Sequence, residues 1–426
     1  MKKLLIGFIV ATVVFIMLMY WSLSSTDKNN KRSELINIEN VNSINFKDYD
    51  SVMVAATTLY DADEVKILMQ GEHYRDVWAA PIKVPVLFLD TLFGGATIIK
   101  EGGGKQTHSL KLKANNGIMY TLRSINKDPQ ALVPEFAKTL GLENIIVDGI
   151  SAQHPYGALL AAKLSETLEV LHTHPKVVFL PKQKLLKDFN TKFGNRMFLL
   201  EYETESDVNW TDYRDIITIV ETEGLQELKL EFGENLSIDK QGLIRLRLFD
   251  FLIGDWDRHS KQWGWAVQKK ANEYLAIPIA GDRDNAFFDT DGIIPSILSN
   301  ENVVPKLRPF EDDIDYIEGL VYPFDRYFLL NSPESLFVNE ALHIQKVLTD
   351  DVIDQALLVW PKNIIELNGE EIATKIKSRR DKLLKYARAL KQEVDNQGEL
   401  DQPLKGSEDL NLPSHVMQCF ECEMKN

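Results

Sequence analysis

Apolar and polar positions follow three rhythms along this chain. The first is an unbroken apolar run, Leu4–Trp21, behind the basic pair Lys2 and Lys3. It lies near the lower length limit of a membrane span and exceeds a usual signal-peptide core. Cationic flanks stay on the cytoplasmic side, so the rest of the chain is expected outside the cytoplasm. Residues 1–25 therefore read as a transmembrane anchor or a signal peptide. Cleavage near "SLSS" would give a secreted form. Residues 26–50, rich in Asn, Ser and Lys, read as a linker.

The second rhythm is alternation. Between Ala96 and Ile125, "ATIIKE", "HSLKLK" and "IMYTLRSI" read as three antiparallel strands. "GGGKQT" interrupts the first pair, and "ANNG" is a hairpin signal for the second. "KVVFLP" and "RMFLLEYE" read as two further strands. "WGWAV" and "YLAIPI" predict a later hairpin turning near "KKAN".

The third rhythm is helical. It predicts a helix over Met53–Met69 and another in "HPYGALLAAKLSETLEVLH", with Pro155 near its start. Leu243–Ile253 suits a mostly buried helix that Gly254 ends. Several helices are expected between Leu307 and Val394, clearest in "GEEIATKIKSRRDKLLKYARALKQEV". "DVWAAPIKVPVLFLD", broken by prolines, reads as extended. The fold class is α+β: a β-rich lobe over 51–205, a mainly helical lobe over 206–400, and a tail over 401–426 expected to be disordered.

Composition adds limits. With 44% hydrophobic and 26% charged residues the chain is that of a folded globular protein. A formal net charge of -15 argues against a nucleic-acid surface, which needs a basic patch. Cys419 and Cys422 supply only half of a structural zinc site, so no metal or redox role is expected of them.

The candidate chemistry sits in two acidic knots. "FLIGDWDRHSKQWGW" spans Phe251–Trp265 and "IPIAGDRDNAFF" spans Ile277–Phe288. The hairpin between them brings its ends together, placing Asp257 and Gln262 near Asp282 and Asp284. Converging carboxylates need compensation. Arg258, His259 and Arg283 could supply it internally, or a divalent metal could. Oxygen-only donors suit Mg²⁺ or Mn²⁺. Trp256, Trp263 and Trp265 read as packing residues, and Asp255 as a brace for the loop. Asp284 is either a second metal ligand or a partner of Arg283.

These motifs resemble the protein-kinase-like fold, including secretory-pathway kinases with an Asp-Arg-His loop and HipA-type and CotH-type kinases. The resemblance implies roles. Asp257 would accept the acceptor proton, and Gln262 would stand in the metal-binding Asn place. Asp282 and Asp284 would hold metal. Gly102, Gly103 and Gly104, with Lys105, would form the glycine-rich loop over ATP phosphates. Arg123 would stand in the strand-lysine place, with Glu166 as its helix partner. Glu201 would mark the inter-lobe linker where adenine binds. Arg123, Gln262 and the missing Asp-Phe-Gly triplet depart from that pattern, and Arg does not replace Lys like for like.

The wording of "GGGKQTHSLKL", "HPYGALLAAKL" and "LIGDWDRHSKQWGWA" also resembles a family of uncharacterised bacterial envelope proteins. The kinase-like resemblance implies phosphoryl transfer from Mg-ATP to a protein, lipid or glycan acceptor. A non-catalytic pseudokinase-like scaffold and a metal-dependent phosphohydrolase are the alternatives.

Overall fold

The computed structural model describes residues 1–24, 33–38, 40–103, 107–128 and 133–422. The apolar N-terminal run forms a helix, Lys2–Ser24, long and apolar enough to cross a membrane. Its last turn docks on the rest of the chain. Gln70 Nε2 donates to Ser22 Oγ at 3.1 Å, and Asn144 Nδ2 to the Leu23 carbonyl at 2.9 Å.

A small antiparallel sheet follows, of β1 (Glu34–Leu35), β2 (Ser51–Ala55) and β3 (Ile82–Pro85). It corrects two expectations. Met53–Met69 is not one helix: Val52 and Val54 alternate with exposed Met53 in a strand, and the helix is confined to Glu64–Gln70. Its start is fixed by Asp63, whose carboxylate accepts the Lys66 amide. The "extended" segment likewise begins with a short helix, Arg75–Ala79, before β3. Local propensity gave way to burial, since Val77 and Trp78 are both in the core.

β4 (Ala96–Gly102), β5 (Ser109–Ala114) and β6 (Met119–Ser124) form the predicted antiparallel meander. The chain then crosses through the Gly157–Thr167 helix and the short β7 (Leu171–His172). It returns through β8 (Lys176–Leu180) and β9 (Arg196–Tyr202), giving the order β4-β5-β6-β9-β8. Alternation gives this sheet two unlike faces. Leu110, Leu112, Tyr120, Leu122, Phe198 and Leu200 point into one apolar core. The register sets Ser109 opposite Arg123, Lys111 opposite Thr121, and Thr121 opposite Glu201 on the other face, which is polar.

A further sheet lies in the later, more helical part. β10 (Ile216–Glu221), β11 (Leu236–Ile238), β12 (Trp263–Lys270) and β13 (Glu273–Ala280) take the order β10-β12-β13-β11, and β7 joins β13 in parallel. The Lys240–Ile253 helix backs it. Every residue from Leu246 to Ile253 is buried, so the helix is enclosed on all sides. Gly254 ends it in the left-handed region at φ 67°, and a Cβ there would meet the Phe310 ring at 2.8 Å.

The described part of the tail, 401–422, is docked, which corrects the expectation of disorder there. Leu404, Val416 and Phe420 are buried, and Phe420 packs against Tyr327 and Phe328. Cys419 and Cys422 form a disulfide with each other. The apolar residues of the tail find an unfilled face of the helical layer, which no local pattern reveals.

Candidate functional site

The β12–β13 hairpin fixes the position of both acidic knots. All eight residues of β12 pair with β13, from Trp263 opposite Ala280 to Lys270 opposite Glu273. The flanking loops must therefore meet. The Gly281 amide donates to the Gln262 carbonyl at 3.0 Å. Arg258, fully buried, clips the loops together. Its NH1 donates to the Gly281 carbonyl at 2.7 Å and reaches the Asp282 carbonyl at 3.4 Å, while its Nε donates to Asp250 at 3.2 Å. Its guanidinium stacks 4.6 Å from the centroid of Trp263.

Asp250, from the buried helix, anchors this arrangement. Besides Arg258 it pairs with Arg247 at 2.7 Å and Arg283 at 3.0 Å. Three buried guanidiniums around one carboxylate carry excess positive charge, which Asp325, on Arg247, and Asp255 offset. Asp255 lies 3.7 Å from Arg258, and neither of its oxygens has a hydrogen-bond partner among the described residues. Burial lifts its pKa to about 7 against the pull of Arg258. Its backbone amide donates to the Asp250 carbonyl at 2.9 Å.

The polar face of the β4-β5-β6-β9-β8 sheet lies over these loops. Between them is a cleft of ≈ 200 Å³ lined by Gly103, Lys111, Arg123, Glu201, Gln262 and Asp282, among others. Arg123 spans it. Its NH1 donates to Asp282 Oδ2 at 2.8 Å and its Nε to Glu201 Oε2 at 3.2 Å. Glu201 in turn accepts from Thr173 Oγ1 at 2.7 Å. Asp282 sits at φ 49°, a conformation uncommon for a non-glycine residue, and one met often at functional sites. Lys127 pairs with Asp284 at 2.9 Å.

The two aspartates are driven apart electrostatically. Burial raises the Asp282 pKa, Arg123 opposes this, and Asp284 adds to it. Burial would also raise Asp284, but Lys127 and Arg123 outweigh it and hold Asp284 below the usual carboxylate value.

Asp257 lies on the loop that Arg258 clips down. Its carboxylate is 4.0 Å from His259 Nε2 and 3.5 Å from the Tyr322 hydroxyl, which donates to the Trp256 carbonyl at 2.7 Å. His259 Nδ1 accepts the Lys261 amide, so the ring caps the turn before β12. Burial lowers its pKa to about 4 against the Asp257 charge, leaving it neutral at pH 7. Trp263 stacks on Phe324, Trp265 packs at a tilt against Phe328, and both serve packing.

The structure thus brings Gly103, Arg123, Glu201, Gln262 and Asp282 to one cleft. Gly102 ends β4 opposite Ser109. Gly103 has φ 112°, and a Cβ there would meet the Thr107 carbonyl at 2.1 Å, so only glycine fits. Gly104 and Lys105 lie outside the described residues.

Glu166 is a correction. It does not reach Arg123 but pairs with Lys163 at 2.7 Å on a half-exposed helix end. Glu201 takes the partner role instead, two residues diagonal to Arg123 on the neighbouring strand. Glu201 is accordingly a buried positioning carboxylate within β9 rather than part of a linker. Asp284 pairs with Lys127, not Arg283, because Arg283 turns inward to Asp250. Lys111 and Thr173 lie on the cleft without having been singled out. Lys111 was legible as the polar position of "HSLKLK" that shares a face with Arg123. Thr173 carries no sequence signal.

No protein-family model and no curated protein matches this chain. Among solved structures, it is similar to the Helicobacter pylori proinflammatory kinase CtkA at 16% identity and a TM-score of 0.36, over 70% of this chain and 96% of that one. It is also similar to HipA in the Shewanella oneidensis MR-1 toxin–antitoxin complex with HipB and operator DNA. That match has 11% identity and a TM-score of 0.33, over 70% of this chain and 67% of that one. Likeness at this level carries no argument about activity.

Proposed function

We propose that the cleft binds a nucleoside triphosphate with a divalent cation and that the protein is a kinase-like phosphotransferase. The observation that carries this is the Arg123–Asp282 bridge at 2.8 Å. It joins the strand after a glycine hairpin to the loop after the β12–β13 hairpin, across a polar cleft. Phosphoryl transfer relies on positioning and charge neutralisation, which such a cleft can supply.

Asp282, Asp284 and Gln262 would hold Mg²⁺ or Mn²⁺. The donor set is oxygen-only, and the two carboxylates sit beside each other with opposed proton affinities. Bound metal would neutralise phosphate charge. Arg123, released in part from Asp282, would turn to the phosphates while Glu201 keeps it oriented. Gly103 allows the backbone to approach them. Asp257, about a quarter exposed, would accept the proton of an acceptor hydroxyl, with Tyr322 beside it. The acceptor is a protein, lipid or glycan hydroxyl. The Lys2–Ser24 helix would anchor the protein, with the bulk of the chain outside the cytoplasm.

One observation favours a second reading, a non-catalytic scaffold. Past β9, where an adenine edge would be read, the Glu203 amide already donates to Met119 and its carbonyl already accepts from Trp210 Nε1.

The test is calorimetric titration of the full chain in detergent with ATP and Mg²⁺ or Mn²⁺. Metal-dependent binding that is lost in Asp282→Asn supports the phosphotransferase. Absence of binding by folded protein with either metal overturns it and leaves the scaffold.

A further inference from the structure

A second group of metal-ligating side chains lies behind the cleft, at the junction of the Gly157–Thr167 helix with β7. One donor atom each from Glu166, His172 and His174 lies within 4.8 Å of the other two. Two imidazoles and a carboxylate form a donor set for a borderline transition metal rather than for Mg²⁺.

His172 gives the independent indication. Its side chain is 4% exposed. Nδ1 lies 3.3 Å from the Val170 carbonyl, which places the ring proton there. Nε2 is then a bare acceptor, buried and without a hydrogen-bond partner among the described residues. An orphaned buried nitrogen is costly unless something binds it. A histidine that donates one ring N–H to a backbone carbonyl and presents the other nitrogen is prepared as a metal ligand.

His174 completes the pair. The two rings stand 4.1 Å apart between centroids. His174 is held at φ 51°, an uncommon backbone state, with its ring edge-on to Tyr202 and Trp210. Glu166 currently holds Lys163 at the surface, a half-exposed pair whose loss costs little.

We propose that Glu166, His172 and His174 form a Zn²⁺ site, tetrahedral with water as fourth ligand. Ligands at about 2.0–2.1 Å from the ion would sit roughly 3.3–3.5 Å apart, so the donors close by about an ångström. The exposed Glu166 and His174 make that movement. Glu166 exchanges its ammonium partner for the ion.

The site is wired to the cleft. His172 pairs with Ala280 of β13, two residues before Asp282. Thr173, between the two histidines, donates to Glu201, which orients Arg123. Zinc would pin the end of the helix to this strand and so fix the cleft's Thr173–Glu201–Arg123 chain. It stands whether or not the cleft binds nucleotide.

The test uses the full chain in detergent, without Mg²⁺ or nucleotide. Zn²⁺ is titrated calorimetrically, metal content is measured after dialysis, and Co²⁺ is added as a visible-absorption probe of four-coordinate geometry. One equivalent of Zn²⁺ is expected in the wild type and in Asp282→Asn. His174→Ala and Glu166→Gln, both surface changes checked for fold by circular dichroism, should each weaken binding by at least about tenfold. No stoichiometric Zn²⁺, unchanged affinity in both variants, loss in Asp282→Asn, or binding of Fe²⁺ but not Zn²⁺ would each overturn the assignment.

Discussion

Replacing Arg258 with alanine should both destabilise the protein and disorder its cleft. The side chain is fully buried and makes five contacts: Asp250 at 3.2 Å, Asp255 at 3.7 Å, the Gly281 carbonyl at 2.7 Å, the Asp282 carbonyl at 3.4 Å and the face of Trp263 at 4.6 Å. Breaking a buried pair typically costs about 3–5 kcal/mol, because the remaining partner is left without compensation. Here Arg247 and Arg283 still hold Asp250, which puts the charge contribution at the low end. The Gly281 carbonyl loses a charge-assisted donor worth about 1.5–3 kcal/mol, and the stacking on Trp263 adds about 1–2 kcal/mol. These contributions share one side chain and do not add fully, so the expected loss is about 4 kcal/mol. Urea unfolding followed by tryptophan fluorescence reads it directly. Arg258→Lys keeps the charge but not the fork, and should fall between wild type and alanine. A cost below about 1 kcal/mol for Arg258→Ala would refute the view that this residue clips the two loops together.

Three further outcomes are expected. His154 is 3% exposed, stacked on Trp360, and burial lowers its pKa from 6.5 to about 3. The unfolded chain therefore binds the extra proton first, so this group's stability is present above pH 6.5 and is lost as pH falls toward 3. Between pH 7 and pH 5 the loss is about 2 kcal/mol, and His154→Leu should lack that component in paired urea titrations. Phe420→Ala should cost about 3–5 kcal/mol, since Phe420 is buried against Tyr327 and Phe328 and its amide donates to the Tyr327 carbonyl. A cost near zero would return the tail to the disordered reading. Glu201→Gln should weaken any Mg-ATP binding mainly through misorientation of Arg123, whereas Glu166→Gln should leave nucleotide affinity unchanged in the absence of Zn²⁺. Equal effects from the two would contradict the pairing described for Arg123.

Much of the architecture was written in short-range pattern. The alternation of "HSLKLK" and "IMYTLRSI" set which residues face the core and which face the cleft, because strand side chains repeat every two positions whatever they pack against. The hairpin between the acidic knots determined that Gln262 and Gly281 meet, since paired strands must bring their ends together. The long apolar run of Leu4–Trp21 determined the N-terminal helix. Partner choice was not local. Whether Arg123 took Glu166 or Glu201 depended on the register between β6 and β9 and on where the Gly157–Thr167 helix ended. Asp284 reached Lys127 because Asp250, a residue with no motif around it, drew Arg283 inward. The tail and the Glu166–His172–His174 group were decided by tertiary packing alone. Periodicity fixes the direction of a side chain, but charge pairing and burial depend on distances between segments far apart in the chain, and only the folded structure sets those.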